Sequence, residues 1–186
     1  MEEFVLSYKD SRIKYFKNKE NMGITPSRNK LTSLAKGDYL MVMDHDDVSH
    51  PLRMEKQVSY LKNYPQVGVV GSFANYLVSK TTRKLPVESE AIKENLMFSC
   101  AVLHSGCMIR KDVLIKNNIK YEEEFSPAED YALFTKLIGY CEFYNIPEIL
   151  FYYRDHETNT THLQKEKMDI ATFKIYKSAQ ETYPNI

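Results

Sequence analysis

An acidic cluster follows an apolar run in the segment YLMVMDHDDVSHP, residues 39–51. If a strand runs to Asp44, the side chains of Asp44 and Asp46 project to the same side and bring two carboxylates together. Two unit charges about 4 Å apart repel by roughly 4 kcal/mol at an effective dielectric constant near 20. Mg²⁺ or Mn²⁺ reverses this repulsion, because such cations take carboxylate oxygens together with nucleotide phosphates. The cluster therefore predicts a metal and phosphate site.

Asp47 also has a structural interpretation. A helix is predicted to begin at Pro51, and Asp47 or Ser49 would then cap its free amides. The residues alone leave capping and ligand binding open for Asp47. A calcium loop of the EF-hand type is excluded, because the segment lacks the glycine and the spacing to a final glutamate that such a loop requires.

A second acidic pair lies in the segment FSPAEDYALF. Ser126 as N-cap, Pro127 at the first helical position and Glu129 at the third predict a capping box, which gives Glu129 a structural role. Asp130 has no such role. A carboxylate one turn into a helix that faces a cleft can accept a proton from a hydroxyl group. The alternative is that Asp130 only benefits from the helix N-terminus, which contributes about 0.3 to 1 kcal/mol.

The composition predicts one globular domain over residues 1–186, with 43% hydrophobic and 27% charged residues. Lysine plus arginine equals aspartate plus glutamate at 25 each, so the net charge of zero argues against a nucleic-acid partner. Cys100, Cys107 and Cys141 show no metal-type spacing and are predicted to be reduced thiols that pack in the core. We expect a cytoplasmic protein, because neither a leader nor a membrane-spanning run is recognised.

The elements that position the acidic residues follow an α/β pattern. The apolar run before Asp44 is typical of a parallel strand covered on both faces, and with a preceding strand and a helix capped by Thr25 it predicts a βαβ unit. In the helix that begins at Pro51, an apolar face of Leu52, Met54, Val58 and Leu61 is predicted to point inward. The remaining pattern indicates an antiparallel or mixed second half. The predicted strands are 12–17, 39–44, 67–78 and two short ones around Pro147, and the predicted helices are 4–8, 26–36, 51–63, 89–97, 112–117, one from Ser126, and 163–181.

The segment NMGITPSRNKLTSLAKGDYLMVMDHDD, residues 21–47, resembles the family 2 glycosyltransferases. The resemblance extends from about Asp10 to His156 and implies a GT-A-like, mostly parallel sheet flanked by helices, with a mixed or antiparallel acceptor-side half. It implies that Asp44 and Asp46 contact the nucleotide and hold the metal, with Asp47 against the donor sugar. The donor-side residues that it implies are Asn21, Gly23, Arg28 and Asn29. From the residues alone, Arg28 also fits an exposed helix cation and Gly23 a simple turn.

The same resemblance assigns further residues. Asp130 becomes the catalytic base, and His156 in YYRDHETN becomes a third metal ligand beside Asp46 and Asp44. His104 and Glu129 fall on the acceptor side, and Arg110 matches a pattern near it. The residues alone equally allow a buried, hydrogen-bonded His104 and a His156 on the polar surface.

The implied reaction is a metal-assisted, inverting displacement. A nucleotide-sugar donor, a UDP-sugar first of all, would transfer its sugar to a saccharide or lipid-linked acceptor with Mn²⁺ or Mg²⁺ as cofactor, as in surface-polysaccharide synthesis. Two alternatives stay open: a non-catalytic remnant or partner subunit, and another metal-dependent phosphate-handling enzyme. Lys165, Lys167, Lys174 and Lys177 fit either a solvated helix face or a peripheral contact with the inner face of a membrane.

The family begins with two strands that are not recognised in this chain, so we expect an N-terminally truncated domain. Sheet edges and apolar faces that lose their neighbours favour association with other chains. The sequence therefore predicts a homo-oligomer or a complementing chain.

Overall fold

The chain folds as an α/β domain, and the computed structural model describes residues 2–159 and 163–186. The helices are α1 Glu2–Ser7, α2 Ile24–Leu34, α3 Arg53–Asn63, α4 Ser89–Leu96, α5 Lys111–Lys116, α6 Glu129–Leu137 and α7 Lys165–Thr182. The strands are β1 Tyr39–Met41, β2 Val48–Ser49, β3 Val67–Tyr76, β4 Thr82–Arg83, β5 Met108–Arg110 and β6 Glu142–Tyr153. Among the described helices, none is long and apolar enough to cross a membrane.

The strands form one mixed sheet in the order β1, β5, β3, β6, β2, with β4 beside β3. Strands β3 and β6 run parallel, whereas β5 is antiparallel to both β1 and β3. The α/β class and the mixed half are confirmed. Within the described residues the pairing is mixed rather than mostly parallel, because β1 pairs with antiparallel β5 and with no parallel neighbour.

Strand β6 corrects the prediction of two short strands around Pro147. Its register with β3 passes from Ser72 opposite Ile146 to Phe73 opposite Ile149, so Pro147 and Glu148 are accommodated as an irregularity inside one strand. Proline has no backbone N–H to donate to the ladder, and a bulge is a place where a strand tolerates it.

The predicted βαβ unit at the N-terminus is wrong. Residues 12–17 form no strand, and β1 ends at Met41 rather than at Asp44. An alternating pattern becomes a strand only if a neighbouring strand supplies hydrogen bonds, and the described residues provide none here. Helix α2 begins at Ile24 after Gly23, so Thr25 lies buried inside the first turn and is not the N-cap.

Helix α3 buries a different face from the predicted one. Leu52 and Met54 are 45% and 59% exposed, while Arg53 and Gln57 are fully buried together with Leu61. Arg53 Nη2 donates hydrogen bonds to the carbonyl oxygens of Val42, at 2.8 Å, and Cys107, at 3.0 Å. The hydrogen bonds that these carbonyl groups need, and not apolar periodicity, decide which face turns inward.

Gln57 completes this buried polar cluster. Its Nε2 donates to the carbonyl oxygens of Val70, at 3.1 Å, and Gly106, at 2.8 Å, and its Oε1 accepts from Arg53 Nε at 3.2 Å. Together Arg53 and Gln57 attach α3 to the end of β1, to β3 and to the segment before β5. They therefore fix the place where the loop of residues 42–47, which carries the three aspartates and is called the acidic loop below, leaves the sheet.

Two apolar clusters cover the two faces of the sheet. The larger one is formed by α4, α6 and α7 against β3 and β6, with Leu96, Leu133, Phe134, Phe143 and Ile175 among its members. The smaller one lies under α3 and includes Leu61, Val70 and Met108. The three cysteines are free, and Cys107 and Cys141 are buried, as predicted for packing residues.

We predict that Arg53→Met lowers the free energy of unfolding by about 2 to 4 kcal/mol, because the Val42 carbonyl group loses its donor and the Cys107 carbonyl group keeps only the Val42 N–H. Urea denaturation measures this change. Lys56→Met on the same helix is the control: Lys56 forms a partly exposed ion pair with Glu148, whose loss costs about 1 kcal/mol at most. Equal losses in the two variants would contradict the structural role of Arg53.

Candidate active site

The loop after β1 brings Asp46 next to a histidine from the other end of the chain. Asp46 Oδ2 lies 3.1 Å from His156 Nε2, although 110 residues separate the two in sequence. Burial raises the pKa of Asp46, but hydrogen bonds from His156 and from its own backbone outweigh this, so the pKa lies below its usual value. The structure thus places together two of the three residues that the resemblance implies as metal ligands, Asp46 and His156.

The loop that carries His156 is held by its neighbours. Thr158 Oγ1 forms a 2.8 Å hydrogen bond with His156 Nδ1, and Asn159 Oδ1 accepts from the His156 backbone N–H at 3.3 Å. Asp155 accepts from the backbone N–H groups of Val78, at 2.7 Å, and Ser79, at 2.9 Å. With Nδ1 engaged, Nε2 is the ring nitrogen turned toward Asp46, an arrangement typical of histidines that bind metals.

Asp47 connects the acidic loop to the histidine loop. Its side chain is 8% exposed, and Oδ1 accepts from the Arg154 backbone N–H at 2.8 Å. Arg154 Nε donates to the Asp46 carbonyl oxygen, also at 2.8 Å. Burial and the nearby charges of Asp46 and Asp44 raise the pKa of Asp47. Asp47 therefore has a structural role here, and a contact with a donor sugar stays a prediction.

The predicted helix capping by Asp47 or Ser49 is wrong. Leu52 stands at the N-cap of α3, and no side-chain cap bond forms there. The Leu52 backbone N–H instead donates to His50 Nδ1 at 3.2 Å. A buried bond to the histidine loop wins over capping for Asp47, because it satisfies a backbone donor inside the protein.

The side chains at the acidic loop offer some of the ligands that a divalent cation needs. Asp46 offers a carboxylate oxygen and His156 a ring nitrogen, while Asp44 is half exposed and points toward Arg28, with 4.0 Å between Oδ1 and Nη2. Over residues 2–159 and 163–186, no group of three or more histidine, cysteine, aspartate or glutamate side chains converges. The residues fit a cation held by two protein ligands and by phosphate oxygens of a ligand, and they do not form an all-protein cage.

The predicted donor-side residues have separate roles in the structure. Asn21 Oδ1 accepts from the Gly23 backbone N–H at 3.0 Å, and Gly23 has a φ of 80°, which few other residues adopt. The Asn29 side-chain amide donates to the Tyr121 carbonyl oxygen at 2.9 Å and accepts from the Tyr121 backbone N–H at 3.0 Å. Asn21 and Gly23 thus form a turn, and Asn29 attaches α2 to the segment before α6.

Arg28 is not the exposed cation that its residue type allows. Its side chain is 18% exposed, and Nη1 donates to Glu129 Oε1 at 2.5 Å. The guanidinium group also lies near the Tyr121 ring, 5.8 Å from its centroid. Arg28 therefore lies between the acidic loop, through Asp44, and the first turn of α6, through Glu129.

The predicted capping box is wrong, because α6 begins at Glu129 after Ala128, and Ser126 lies outside it. Burial raises the pKa of Glu129, and the Arg28 charge partly opposes this. Asp130 is partly exposed, and its Oδ1 accepts from the Tyr131 backbone N–H at 2.8 Å. Burial also raises the pKa of Asp130, again against the Arg28 charge. Glu129 is thus an ion-pair partner, and Asp130 is left at the surface of the site.

His104 and Arg110 both lie in structural contacts. His104 is 5% exposed and forms a 2.8 Å hydrogen bond with the Tyr121 hydroxyl, and burial lowers its pKa well below the usual value. Arg110 donates to the carbonyl oxygens of Leu61 and Val67. The structure therefore favours the buried, hydrogen-bonded interpretation of His104 and gives Arg110 a structural role, while an acceptor-side position for either residue stays a prediction.

Sequence reasoning missed the residues that hold the site together. Thr158, Asn159, Arg154 and Tyr121 were not singled out, although they orient His156, the acidic loop and α2. The segment YYRDHETN, which was singled out for His156, also contains Arg154. Nothing in the local spacing marked the other three, since each acts on a residue that only folding or a loop conformation brings near.

Known proteins resemble this chain in sequence. The glycosyl transferase family 2 model matches residues 1–117. An uncharacterised glycosyltransferase of Methanocaldococcus jannaschii is 28% identical over 177 residues, which are 90% of this chain and 60% of that protein. An O-antigen biosynthesis glycosyltransferase of Escherichia coli, WbnJ, is 30% identical over 163 residues, 81% of this chain and 60% of that protein. The chain thus spans about three fifths of the length of these relatives.

Two solved structures share the fold. S. aureus TarS 1-349 in complex with UDP-GlcNAc superposes with a TM-score of 0.65 at 16% identity, over 82% of this chain and 46% of that one. The mannosyltransferase PcManGT from Pyrobaculum calidifontis, in complex with GDP-Man and Mn²⁺, gives a TM-score of 0.62 at 14% identity, over 88% of this chain and 45% of that one. Because the family model covers more than half of the residues and the fold is that of GT-A transferases, the chain belongs to glycosyl transferase family 2.

Proposed function

We propose that the chain transfers a sugar from a nucleotide-sugar donor to a saccharide or lipid-linked acceptor by a metal-assisted, inverting displacement. One observation carries the proposal. The Arg28 side chain reaches Glu129 at 2.5 Å and Asp44 at 4.0 Å, so the acidic loop and the turn that carries Asp130 lie within the span of one side chain. A nucleotide diphosphate at the acidic loop would then present its sugar near Asp130.

Asp46 and His156 are the residues that would hold the cation, with Asp44 next to the nucleotide. A bound Mn²⁺ or Mg²⁺ supplies positive charge to the leaving nucleoside diphosphate. The two solved structures are complexes, one with UDP-GlcNAc and the other with GDP-Man and Mn²⁺, which supports a nucleotide-sugar donor here. A UDP-sugar is the first donor to test.

Asp130 would act as the general base. Tyr131 N–H holds Oδ1 in place, and in the described part of the chain no hydrogen-bond donor is seen on Oδ2, which leaves that oxygen for an acceptor hydroxyl. Burial raises the pKa of Asp130, and a base is more effective when its pKa lies closer to the operating pH. Its proton uptake would generate the nucleophile that attacks the anomeric carbon from the face opposite the diphosphate.

A second candidate is a non-catalytic partner subunit that needs a complementing chain. Phe4, Leu6 and Tyr8 are 57% to 62% exposed, and Leu31 on α2 is 54% exposed. Among the described strands, β1 pairs on one side only. Apolar surfaces and open strand edges of this kind are typical of interfaces. Metal-dependent donor binding by the chain alone distinguishes the two candidates.

We predict that Asp130→Asn lowers turnover of the donor by at least about 100-fold, because the amide cannot accept the proton. Donor affinity should change by less than about threefold, since among the described residues no hydrogen bond or ion pair joins Asp130 to the acidic loop. Nucleotide release measures the first quantity and titration calorimetry the second. Asp112→Asn, which removes an exposed ion pair with Lys116, is the control and should keep full turnover. Equal turnover in wild type and Asp130→Asn would remove the base assignment.

We predict that Asp46→Ala and His156→Ala each weaken Mn²⁺-dependent donor binding by at least about tenfold, because each removes one of two protein ligands. Calorimetry with UDP-GlcNAc or GDP-Man, with and without Mn²⁺, provides the measurement. Asp169→Ala on the outer face of α7 is the matched control and should bind as wild type does. A wild-type chain without metal-dependent binding would favour the partner-subunit candidate.

We predict that kcat falls toward low pH with a midpoint above about 3.9, the usual aspartate pKa. The base must be ionised, and burial raises the pKa of Asp130, so activity is lost as the pH falls through that raised value. The measurement uses saturating donor and Mn²⁺, so that weaker binding in acid does not contribute. A midpoint at or below the usual aspartate value would contradict the prediction.

A further inference from the structure

The ion pair between Arg28 and Glu129 joins two helices that carry different halves of the site. Arg28 belongs to α2 and Glu129 to the first turn of α6, 101 residues later. Glu129 is 1% exposed, and its side chain is 2% exposed against 18% for Arg28. A pair this close and this well buried has a fixed geometry, because both groups would lose their shortest ion-pair contact among the described residues on moving apart.

The next residue of α2, Asn29, makes a second contact with the segment before α6. The Asn29 amide donates to the Tyr121 carbonyl oxygen at 2.9 Å and accepts from the Tyr121 backbone N–H at 3.0 Å. The Tyr121 hydroxyl in turn bonds to His104 Nε2 at 2.8 Å. Successive residues of α2 are therefore attached to the segment before α6 and to α6 itself, which fixes the register of one against the other.

Asp130 follows Glu129 directly in the same turn of α6. Its backbone position is set by the residue that Arg28 holds, and the same guanidinium charge favours the ionised form of its carboxyl group, whose pKa burial raises. Asp130 itself makes no ion pair with Arg28 within the described residues. Arg28 therefore acts on Asp130 in two ways: through the position of Glu129, and through the electrostatic effect of its guanidinium charge.

We propose that Arg28 and Glu129 are positioning residues for sugar transfer, whose ion pair fixes the turn that carries Asp130 relative to the donor-side helix α2. This inference rests on the proposed function. Glu129 is buried and its carboxylate is held by Arg28, so its removal should act on the placement of the base. Arg28 also faces Asp44 at 4.0 Å, so its removal should act on donor binding as well. Misplacement of a catalytic group by about 1 Å can lower a rate about 100-fold.

The experiment uses the whole chain with UDP-GlcNAc or GDP-Man and Mn²⁺, and it measures turnover as nucleotide release with water taking the sugar in place of the acceptor. Three variants separate positioning from folding: Glu129→Gln, Arg28→Met and the double variant. Lys30→Met is the matched control, because Lys30 is an exposed cation on the same helix. Thermal unfolding is measured for every variant.

We expect Glu129→Gln to lower kcat by about tenfold or more while the donor KM changes by less than about threefold. Arg28→Met should lower kcat similarly and raise the donor KM. The double variant removes both charges of the ion pair, so its unfolding midpoint should recover toward that of wild type. Its kcat should stay as low as that of the slower single variant, because both substitutions remove the same Arg28–Glu129 ion pair.

Each other outcome has a definite meaning. A kcat within about twofold of wild type for Glu129→Gln, in a chain that turns over donor, overturns this inference alone. A kcat that recovers with the unfolding midpoint in the double variant overturns it too, because the pair would then serve stability only. Absence of turnover by the wild-type chain with either donor overturns the proposed function and this inference with it.

Discussion

The site depends on the buried hydrogen bonds that Arg53 and Gln57 give to backbone carbonyl groups. These side chains reach Val42, Cys107, Val70 and Gly106, and so attach α3 to three strands or their ends. The chain leaves the sheet at Val42, and the first aspartate of the acidic loop follows two residues later. A loop that begins at a fixed point can hold closely spaced carboxylates in one arrangement. Without this anchoring, their mutual repulsion would favour other conformations.

Within the loop, three different partners compensate the three aspartates. Asp44 faces Arg28, Asp46 faces His156, and Asp47 accepts from the Arg154 backbone N–H. The least exposed of them is bound to the protein itself, and the more exposed ones are left toward solvent. This division gives Asp47 a structural role in the loop and leaves the carboxylates of Asp44 and Asp46 accessible from solvent. Because the net charge of the chain is zero, no overall positive field stabilises the three aspartates, and these local partners do so instead.

The family assignment and the geometry answer different questions. Membership of glycosyl transferase family 2 rests on the family model and on relatives of which the chain spans about three fifths. The geometry shows what this chain's own residues can do: one face offers carboxylate and imidazole ligands, and the neighbouring turn offers a carboxyl group with a raised pKa. Arg28 connects the two, which is why the transfer reaction is the function that the site supports best.

The sequence by itself determined the α/β class, strand β3, helices α4 and α5, and the acidic segment at the end of an apolar run, because each of these depends on local pattern and spacing. The tertiary structure alone decided which face of α3 is buried, that Arg28 pairs with Glu129, and that residues 12–17 form no strand. Those outcomes depend on which distant carbonyl, carboxylate or strand comes close enough to satisfy a polar group. Sequence spacing carries no information about partners about 100 residues away, whereas a buried polar group requires one.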